Sequence, residues 1–262
     1  MHAAEREQRI IQLISETGFI AFRELDRRLD ASPATIRRDL ERMASQGQIT
    51  RVRGGARLAQ AEGAVNGDSV PRLTGVPFHE NINLRRQQKE AIGRAAAELC
   101  QPGEGVMIDG GSTTLQMCPH IASLNLQVLT NSLHIVSALL PQTGTKLLVP
   151  SGTVFREQNI ILGGPGENNM PGFFAPKLFM GAAALGPRGL MQADVVLVAA
   201  ERRLIEHAEE VIVLVDSSKF ETPSGIVVCD LETIDIVITD REITPEHQRI
   251  LRDARIKVII AD

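Results

Sequence analysis

The chain has 262 residues, 43% of them hydrophobic and 23% charged, with a formal net charge of −4. That is long enough for one large domain, or a small one and a large one, with a sizeable core. Aromatics are only 3%, with no Trp or Tyr, which leaves an aliphatic core and little with which to stack single-stranded nucleic acid. No apolar run approaches the ~18 residues of a transmembrane helix. The N-terminus lacks a signal-peptide core, and Cys100, Cys118 and Cys229 form no C-x-x-C pair. A cytoplasmic protein without disulfides, structural zinc or a membrane span is expected. The charge is uneven. Residues 1–60 hold 11 Arg against 8 acids, and the remainder holds 17 basic and 24 acidic residues. A basic head on an acidic body fits a nucleic-acid-binding module joined to something else.

Three short amphipathic helices are predicted in the head. Their apolar faces are Ile10, Leu13 and Ile14; Phe22, Leu25 and Leu29; and Ile36, Leu40 and Met43. Gly18 and Gly47 mark breaks. The third helix has a clear start, with Ser32 as N-cap and Pro33 at the first helical position. Thr35, Arg37 and Arg38 then crowd its first turns. A helix that reads the major groove is built this way: its N-terminal residues meet base edges while cations meet phosphate. In that pose Pro33, Ala34, Thr35, Arg37 and Arg38 lie near the DNA. Thr35 takes a base edge or a phosphate, and sequence does not divide Arg37 and Arg38 between the two. Ser32 caps the helix and is also within reach of phosphate. Asp39 follows two arginines and reads as structural, orienting one of them. Residues 48–57 alternate apolar and polar and then turn at Gly54-Gly55, a two-stranded wing. Its Arg51, Arg53 and Arg57 are placed to hold flanking backbone or the minor groove.

Residues 59–76 have the Ala, Gly, Asn, Asp, Ser and Pro composition of a linker. From residue 77 the pattern becomes α/β. An amphipathic helix is predicted over Arg85–Leu99, ended by Pro102-Gly103. Strand-like runs follow at Val106–Asp109, Leu126–Asn131, Lys146–Pro150, Val211–Asp216, Ile234–Thr239 and Lys257–Ile260. Short apolar runs alternating with helices predict a mostly parallel sheet covered on both faces. Such sheets bind ligands at the carboxyl ends of their strands. The expected organisation is a DNA-binding domain over 1–58, a linker over 59–76, and a sensing and oligomerisation domain over 77–262.

Polar residues gather at those strand ends. Val106–Ile108 runs into Asp109-Gly110-Gly111-Ser112-Thr113-Thr114, with a helix expected next. Glycines allow close backbone approach to an anion, the helix N-terminus offers N–H groups, and the hydroxyls add donors. That chemistry suits a phosphate or a similar sugar substituent. It is not a Walker loop, because no Lys follows the glycines, and no cofactor is expected. Val213–Val215 runs into Asp216-Ser217-Ser218-Lys219, where Asp216 can take sugar hydroxyls and Lys219 can neutralise an anion. Thr130-Asn131 ends another strand and Pro150-Ser151-Gly152 a third. Several polar strand ends on one rim make a site. Arg156-Glu157 and Glu201-Arg202-Arg203 read as solvated pairs. The histidines, His79, His120, His134, His207 and His247 with His2 near the terminus, have no metal-ligand spacing, and no metal is expected.

Residues 6–58 resemble the winged helix-turn-helix of the DeoR family of bacterial sugar-catabolism regulators. The residues that carry the likeness are Arg6-x3-Ile10, Ser32–Leu40, Gly47-x-Ile49 and Val52–Ala56. Residues 77–262 resemble that family's effector domain, which is similar to the sheet of ribose-5-phosphate isomerases and glucosamine-6-phosphate deaminases. The resemblance implies a sugar-phosphate or related effector at Asp109–Thr114, Thr130, Asn131 and Asp216–Lys219. Lys89 occupies a usual Lys position of the family. Three segments depart from the common pattern: Ser151-Gly152, Asp194–Val198 and Gly163–Gly172. The last, with Phe174–Gly181, looks most like members linked to rhamnose or ascorbate utilisation. The implied protein is a non-enzymatic regulator, expected to be a repressor of a carbohydrate-catabolism operon. Its implied partners are double-stranded operator DNA, a sugar-derived effector and further copies of itself, as a dimer or tetramer. The alternative is a sugar-phosphate isomerase or deaminase with an appended DNA-binding head. For it, Asp109 and Asp216 are bases in type only.

Overall fold

The computed structural model describes residues 6–11, 13, 20–29, 31–45, 48–52, 55–58, 78–163, 170–222 and 224–262. Ile14, Gly18, Gly47, Arg53, the expected linker and residues 164–169 lie outside them. The chain divides into two compact units, Met1–Asp68 and Ser69–Asp262.

In the first unit, helical residues 6–11 precede β1 (Ile20–Ala21), α1 (Phe22–Arg28), α2 (Pro33–Ser45), β2 (Ile49–Val52) and β3 (Gly55–Leu58). Ile10, Leu13, Leu25, Leu29, Ile36, Leu40 and Met43 pack into one buried cluster with Ile20, Ile49 and Ala56. Burying an aliphatic side chain of this size contributes roughly 1.5–3 kcal/mol, so the 3.6-residue pattern of a few short helices suffices to close the head. The wing differs from the predicted hairpin in two ways. It has three strands, in the order β1-β3-β2, both pairs antiparallel. Gly55 stands in β3 opposite Val52, so it is strand and not turn. The extra strand is two residues long, too short for an alternation to show in sequence.

Asp39 is 3% exposed, and it holds neither of the arginines before it. Arg6 Nε donates to its Oδ2 at 2.8 Å and Arg42 Nη2 to its Oδ1 at 3.0 Å. Arg42 also reaches Glu7, with Nε 2.7 Å from Oε1. The helix periodicity explains this: Asp39 and Arg42 are three residues apart on one face of α2, whereas residues one or two apart point away from each other.

The second unit begins with α3 (Phe78–Asn81) and α4 (Arg86–Ala97). Strands β4 (Gly105–Ile108), β5 (Gln127–Leu129) and β6 (Lys146–Leu148) follow, with α5 (Leu133–Leu139) between the last two. Next come a hairpin of β7 (Thr153–Phe155) and β8 (Ile160–Leu162), then β9 (Ala175–Met180), β10 (Ala184–Gly186) and β11 (Gly189–Gln192). The remaining elements are α6 (Val195–Glu206), β12 (Ala208–Leu214), β13 (Ile226–Cys229), β14 (Ile236–Asp240), α7 (Pro245–Asp253) and β15 (Lys257–Ala261). Seven strands form one sheet in the order β15-β14-β12-β9-β4-β5-β6, and every neighbouring pair is parallel. A smaller antiparallel sheet has the order β10-β11-β13.

The alternation of each strand sorts its side chains into two cores. Val106, Ile108, Val128, Phe179, Ile212, Leu214 and Ile238 pack with Ile92, Ala96, Met117, Ile135 and Leu139 on one face. Met107, Leu129, Leu178, Met180, Val213 and Val237 pack with Leu190, Val198, Leu204, Val228 and Leu251 on the other. This is the doubly covered sheet that the apolar runs predict, and all six runs are strands of it. The seventh, β9, sits at its centre and escapes the sequence pattern. Its second residue is Pro176, which argues against a central strand because it cannot donate to a ladder. The structure avoids the conflict by register: pairing with β4 starts at Lys177.

The segment after Gly110-Gly111 is also not the expected α-helix. Thr114–His120 is a 3₁₀ helix with Pro119 inside, which limits a regular i→i−4 ladder. It lies hard against α4. A Cβ built on Gly93 would stand 2.6 Å from the backbone carbon of Gln116. In an open helix, Ala for Gly gains about 1 kcal/mol. Here the overlap with backbone reverses the sign, and Gly93→Ala is expected to destabilise the domain by about 1–3 kcal/mol, measurable as a lower urea midpoint at unchanged slope.

Candidate functional site

The head carries the first candidate surface. Ser32 Oγ accepts from the Thr35 N–H at 3.3 Å and lies 2.9 Å from Thr35 Oγ1, so the cap also fixes the threonine hydroxyl. Pro33, Ala34, Arg37 and Arg38 are exposed and Thr35 is half-buried. The Arg37 guanidinium stacks 5.1 Å from the centroid of the Phe22 ring, a contact that positions a cation without neutralising it. Among the described residues neither Arg37 nor Arg38 has a carboxylate partner. The backbones of Arg51 and Arg57 stand in β2 and β3, opposite Ala56 and Thr50. Arg53 lies outside the described residues.

The second candidate is the carboxyl rim of the large sheet. Asp109, immediately after β4, is 2% exposed. Asn131, after β5, donates from Nδ2 to Asp109 Oδ1 at 2.7 Å, and its Oδ1 accepts from the Gly110 N–H at 3.0 Å. One side chain thus joins two strand ends. Thr114 Oγ1 lies 2.7 Å from the Asp109 carbonyl and 3.1 Å from that of Gly111, tying down the far side of the loop. Thr130 Oγ1 accepts from the Ser132 N–H. A Cβ on Gly110 would meet the Ile160 side chain at 2.8 Å, so β8 packs closely on the loop. Ser112 and Thr113 are buried. Among the described residues, the N–H groups of Gly111, Ser112 and Thr113 donate to no protein acceptor. Buried backbone donors are nearly always paired, and consecutive N–H groups of this kind form a concavity for an anion.

Glu201 is a residue that the sequence reading left in solvent. It is 3% exposed on the inner face of α6. Its Oε1 accepts from Gln192 Nε2 at 2.5 Å, while its Oε2 is buried with no hydrogen-bond partner. Burial, and then the charge of Asp109, push its pKa well above the usual carboxylate range, against the Gln192 hydrogen bond. Asp109 is itself raised to about 6 by burial, against the hydrogen bonds of Asn131 and Gly110. A signal was available: Glu201 is spaced i+4 and i+3 from Leu197 and Val198, and i−3 from Leu204, a lone acid on an apolar face.

Two strands away, after β12, lies the Asp216 cluster. Asp216 accepts from the N–H and hydroxyl of Ser218 and pairs with Arg85, whose Nε is 3.1 Å away. Ser217 donates its N–H to Asp240 at 2.8 Å, at the end of β14. Lys89 is 1% exposed, with Nζ donating to Asn81. Burial pushes its pKa down to about 8, with the Lys219 charge assisting and that of Asp216 opposing. The rim therefore has two polar knots, one at Asp109–Asn131 and one at Asp216–Asp240. Ser151 and Gly152 are exposed, and Gly152 packs so near the Leu162 carbonyl that a Cβ would be 2.1 Å from it. A cavity of about 310 Å³ opens between β8, α6 and Asn131, with Arg203 on its wall. Of the residues expected from sequence to bind effector, Asn131 alone lines it. A second, of about 380 Å³, lies among Ile82, Arg86, Gln116 and Gln142. Among the described residues, no helix is long and apolar enough to cross a membrane.

The raised Asp109 pKa carries a sign for stability. The folded form holds its proton more tightly than the unfolded chain, so stability is highest in acid and falls as pH rises from about 4 to about 6. A shift of roughly two pH units corresponds to ~3 kcal/mol. Asp109→Asn is expected to flatten that part of a stability–pH curve obtained by urea titration.

Residues 6–62 match the DeoR-like helix-turn-helix domain, and residues 84–241 match the DeoR C terminal sensor domain. The HTH-type transcriptional regulator UlaR of Shigella flexneri serotype 5b (strain 8401) is 29% identical over 246 residues, covering 94% of each chain. UlaR of Escherichia coli O1:K1 / APEC matches at 29% identity over the same shares. Ribose 5-phosphate isomerase from Plasmodium falciparum has 13% identity and a TM-score of 0.38, covering 50% of this chain and 52% of its own, a likeness too slight to bear on chemistry. With both domains matched in order along the chain, this protein belongs to the DeoR family of sugar-catabolism transcriptional regulators.

Proposed function

We propose that the chain regulates a carbohydrate-catabolism operon by binding operator DNA through α2 and the wing, and a sugar-derived anion at the carboxyl rim. The observation that carries the effector half is the Gly111–Thr113 loop, with three consecutive N–H groups in a largely buried setting. These groups suit a phosphate or a carboxylate. Asp109 and Glu201 suit the other end of the same molecule. An ionised effector group is repelled from two buried carboxyls, whereas a sugar hydroxyl can use the open Oε2 of Glu201. Lys219, next to Asp216, supplies a cation within the rim.

In the head, Arg37 and Arg38 supply charge, and the capped start of α2 supplies Thr35 and the helix N-terminus. One head makes few contacts, so the working species is at least a dimer on a two-part operator. The domains are proposed to divide at residues 59–76, with 1–58 reading DNA and 77–262 sensing. The Asp109–Glu201 pair is the one feature that favours the enzyme reading, because coupled carboxyls can act as acid and base. Turnover of ribose 5-phosphate or glucosamine 6-phosphate, lost in Glu201→Gln, would establish that reading instead.

Selection of duplexes from a random pool, followed by filter binding, tests the regulator reading. Arg37→Ala is expected to weaken binding of the selected duplex by about 5- to 150-fold, from a contact worth ~1–3 kcal/mol. Lys219→Ala is expected to keep DNA affinity and to lose the thermal upshift given by sugar phosphates. Recovery of no preferred duplex by the intact chain would overturn the reading.

A further inference from the structure

The first described residues of the sensor domain, 78–85, are held at three points: Phe78 on α5, Asn81 on α4, and Arg85 on the rim itself. Phe78 is buried and stacks on His134, with ring centroids 4.0 Å apart and planes 10° apart. Asn159 Nδ2 donates to His134 Nε2 at 3.0 Å, and the Asn159 carbonyl accepts from the Leu133 N–H at 2.9 Å. The neighbouring Ile161 N–H donates to the Asn131 carbonyl at 2.8 Å, and Asn131 holds Asp109. Asn81 receives Lys89 Nζ through both its backbone carbonyl and its Oδ1, beside Asp216 and Lys219. Arg85 spans the other knot. Its Nη2 donates to Ser217 Oγ at 2.9 Å and to Glu242 at 2.7 Å, and its Nε pairs with Asp216.

We propose that residues 78–85 form a strap that couples DNA occupancy of the head to the effector rim, through Phe78–His134–Asn159 on one side and Arg85–Asp216 on the other. The proposal rests on the regulator reading above. In sequence the strap directly follows 59–77, the segment that leads from the head. A segment held at one point could move without disturbing the rim. One held at Phe78, Asn81 and Arg85 cannot shift without changing contacts at His134, Lys89 and Asp216. Arg85 and Asn159 both have left-handed φ, 50° and 52°. Asparagine adopts this conformation readily, whereas for Arg85 it is uncommon and its contacts to Asp216, Ser217 and Glu242 hold it. Coupling requires an element whose equilibrium both ends bias, and linkage makes the bias reciprocal. DNA at the head therefore changes local opening at the rim, without any effector present.

The test is hydrogen exchange on the full chain, with and without a duplex selected from a random pool. Exchange in residues 131–136, 159–162 and 216–220 is expected to change at least threefold on duplex binding. Phe78→Leu and Arg85→Gln are expected to bind the same duplex within twofold and to lose the change at the rim. Phe78→Tyr, which keeps the ring, restores it. Thermal unfolding checks that each variant folds, and if Phe78→Leu does not, Arg85→Gln decides. A rim that responds equally in folded strap variants, or a wild-type rim blind to bound duplex, overturns the strap and leaves the regulator reading standing. Failure to bind any duplex overturns both.

Discussion

Running seven strands in one direction puts seven carboxyl ends on one edge of the sheet, and each chain must turn there in a setting where backbone groups are still half out of water. Those turns need short polar side chains and glycines to satisfy their N–H groups. Asp109, Asn131, Asp216 and Asp240 serve this need: Asn131 closes on Gly110, Asp216 on Ser218 and Asp240 on Ser217. The polarity of the rim is thus a consequence of strand direction before it is a property of any ligand. What distinguishes a site from ordinary turn chemistry is the remainder, the groups that the turns leave over. At this rim they are the Gly111–Thr113 donors and one oxygen of Glu201.

Charge is handled differently in the two units. In the head, Asp39 is neutralised by Arg6 and Arg42 behind α2, which leaves Arg37 and Arg38 without acid partners among the described residues. A surface built for phosphate keeps its cations unspent in this way. In the sensor domain, burial raises the pKa of both Asp109 and Glu201, the charge of Asp109 adds to the rise at Glu201, and among the described residues neither acid has an ion-pair partner. Paired charges lower the cost of burial. Unpaired acids raise it, and such groups are concentrated where a protein acts on or recognises something.

Legibility from sequence varied with how local the cause was. The head and six strands of the sheet were plain in the spacing of apolar residues, because burial of one face imposes a period on each segment alone. The strand at the centre was hidden by Pro176, whose acceptability depends on a register set by β4 and β12. Asp39 was expected to orient a sequence neighbour, yet its partners lie three and thirty-three residues away. Glu201 was placed in solvent beside Arg202 and Arg203, although its helical neighbours Leu197, Val198 and Leu204 marked it as inward. The Ser-Thr-Thr turn follows a strand, as its sequence predicts, but the helix after it is 3₁₀, so its loop N–H groups, and not an α-helix dipole, face an anion's place.

By itself the sequence determined the two domain types, the family, the capped start of α2 and which residues end the parallel strands. All of these follow from periodicities and motifs within about ten residues. The tertiary structure alone decided which of those polar residues are tied to one another, that Glu201 is buried within reach of the Asp109 charge, and that Phe78 and Arg85 are held by His134 and Asp216. The hydrogen-bonded partners at the strand ends lie from 22 to 157 residues apart, and the order in which parallel strands are laid side by side brings them within reach.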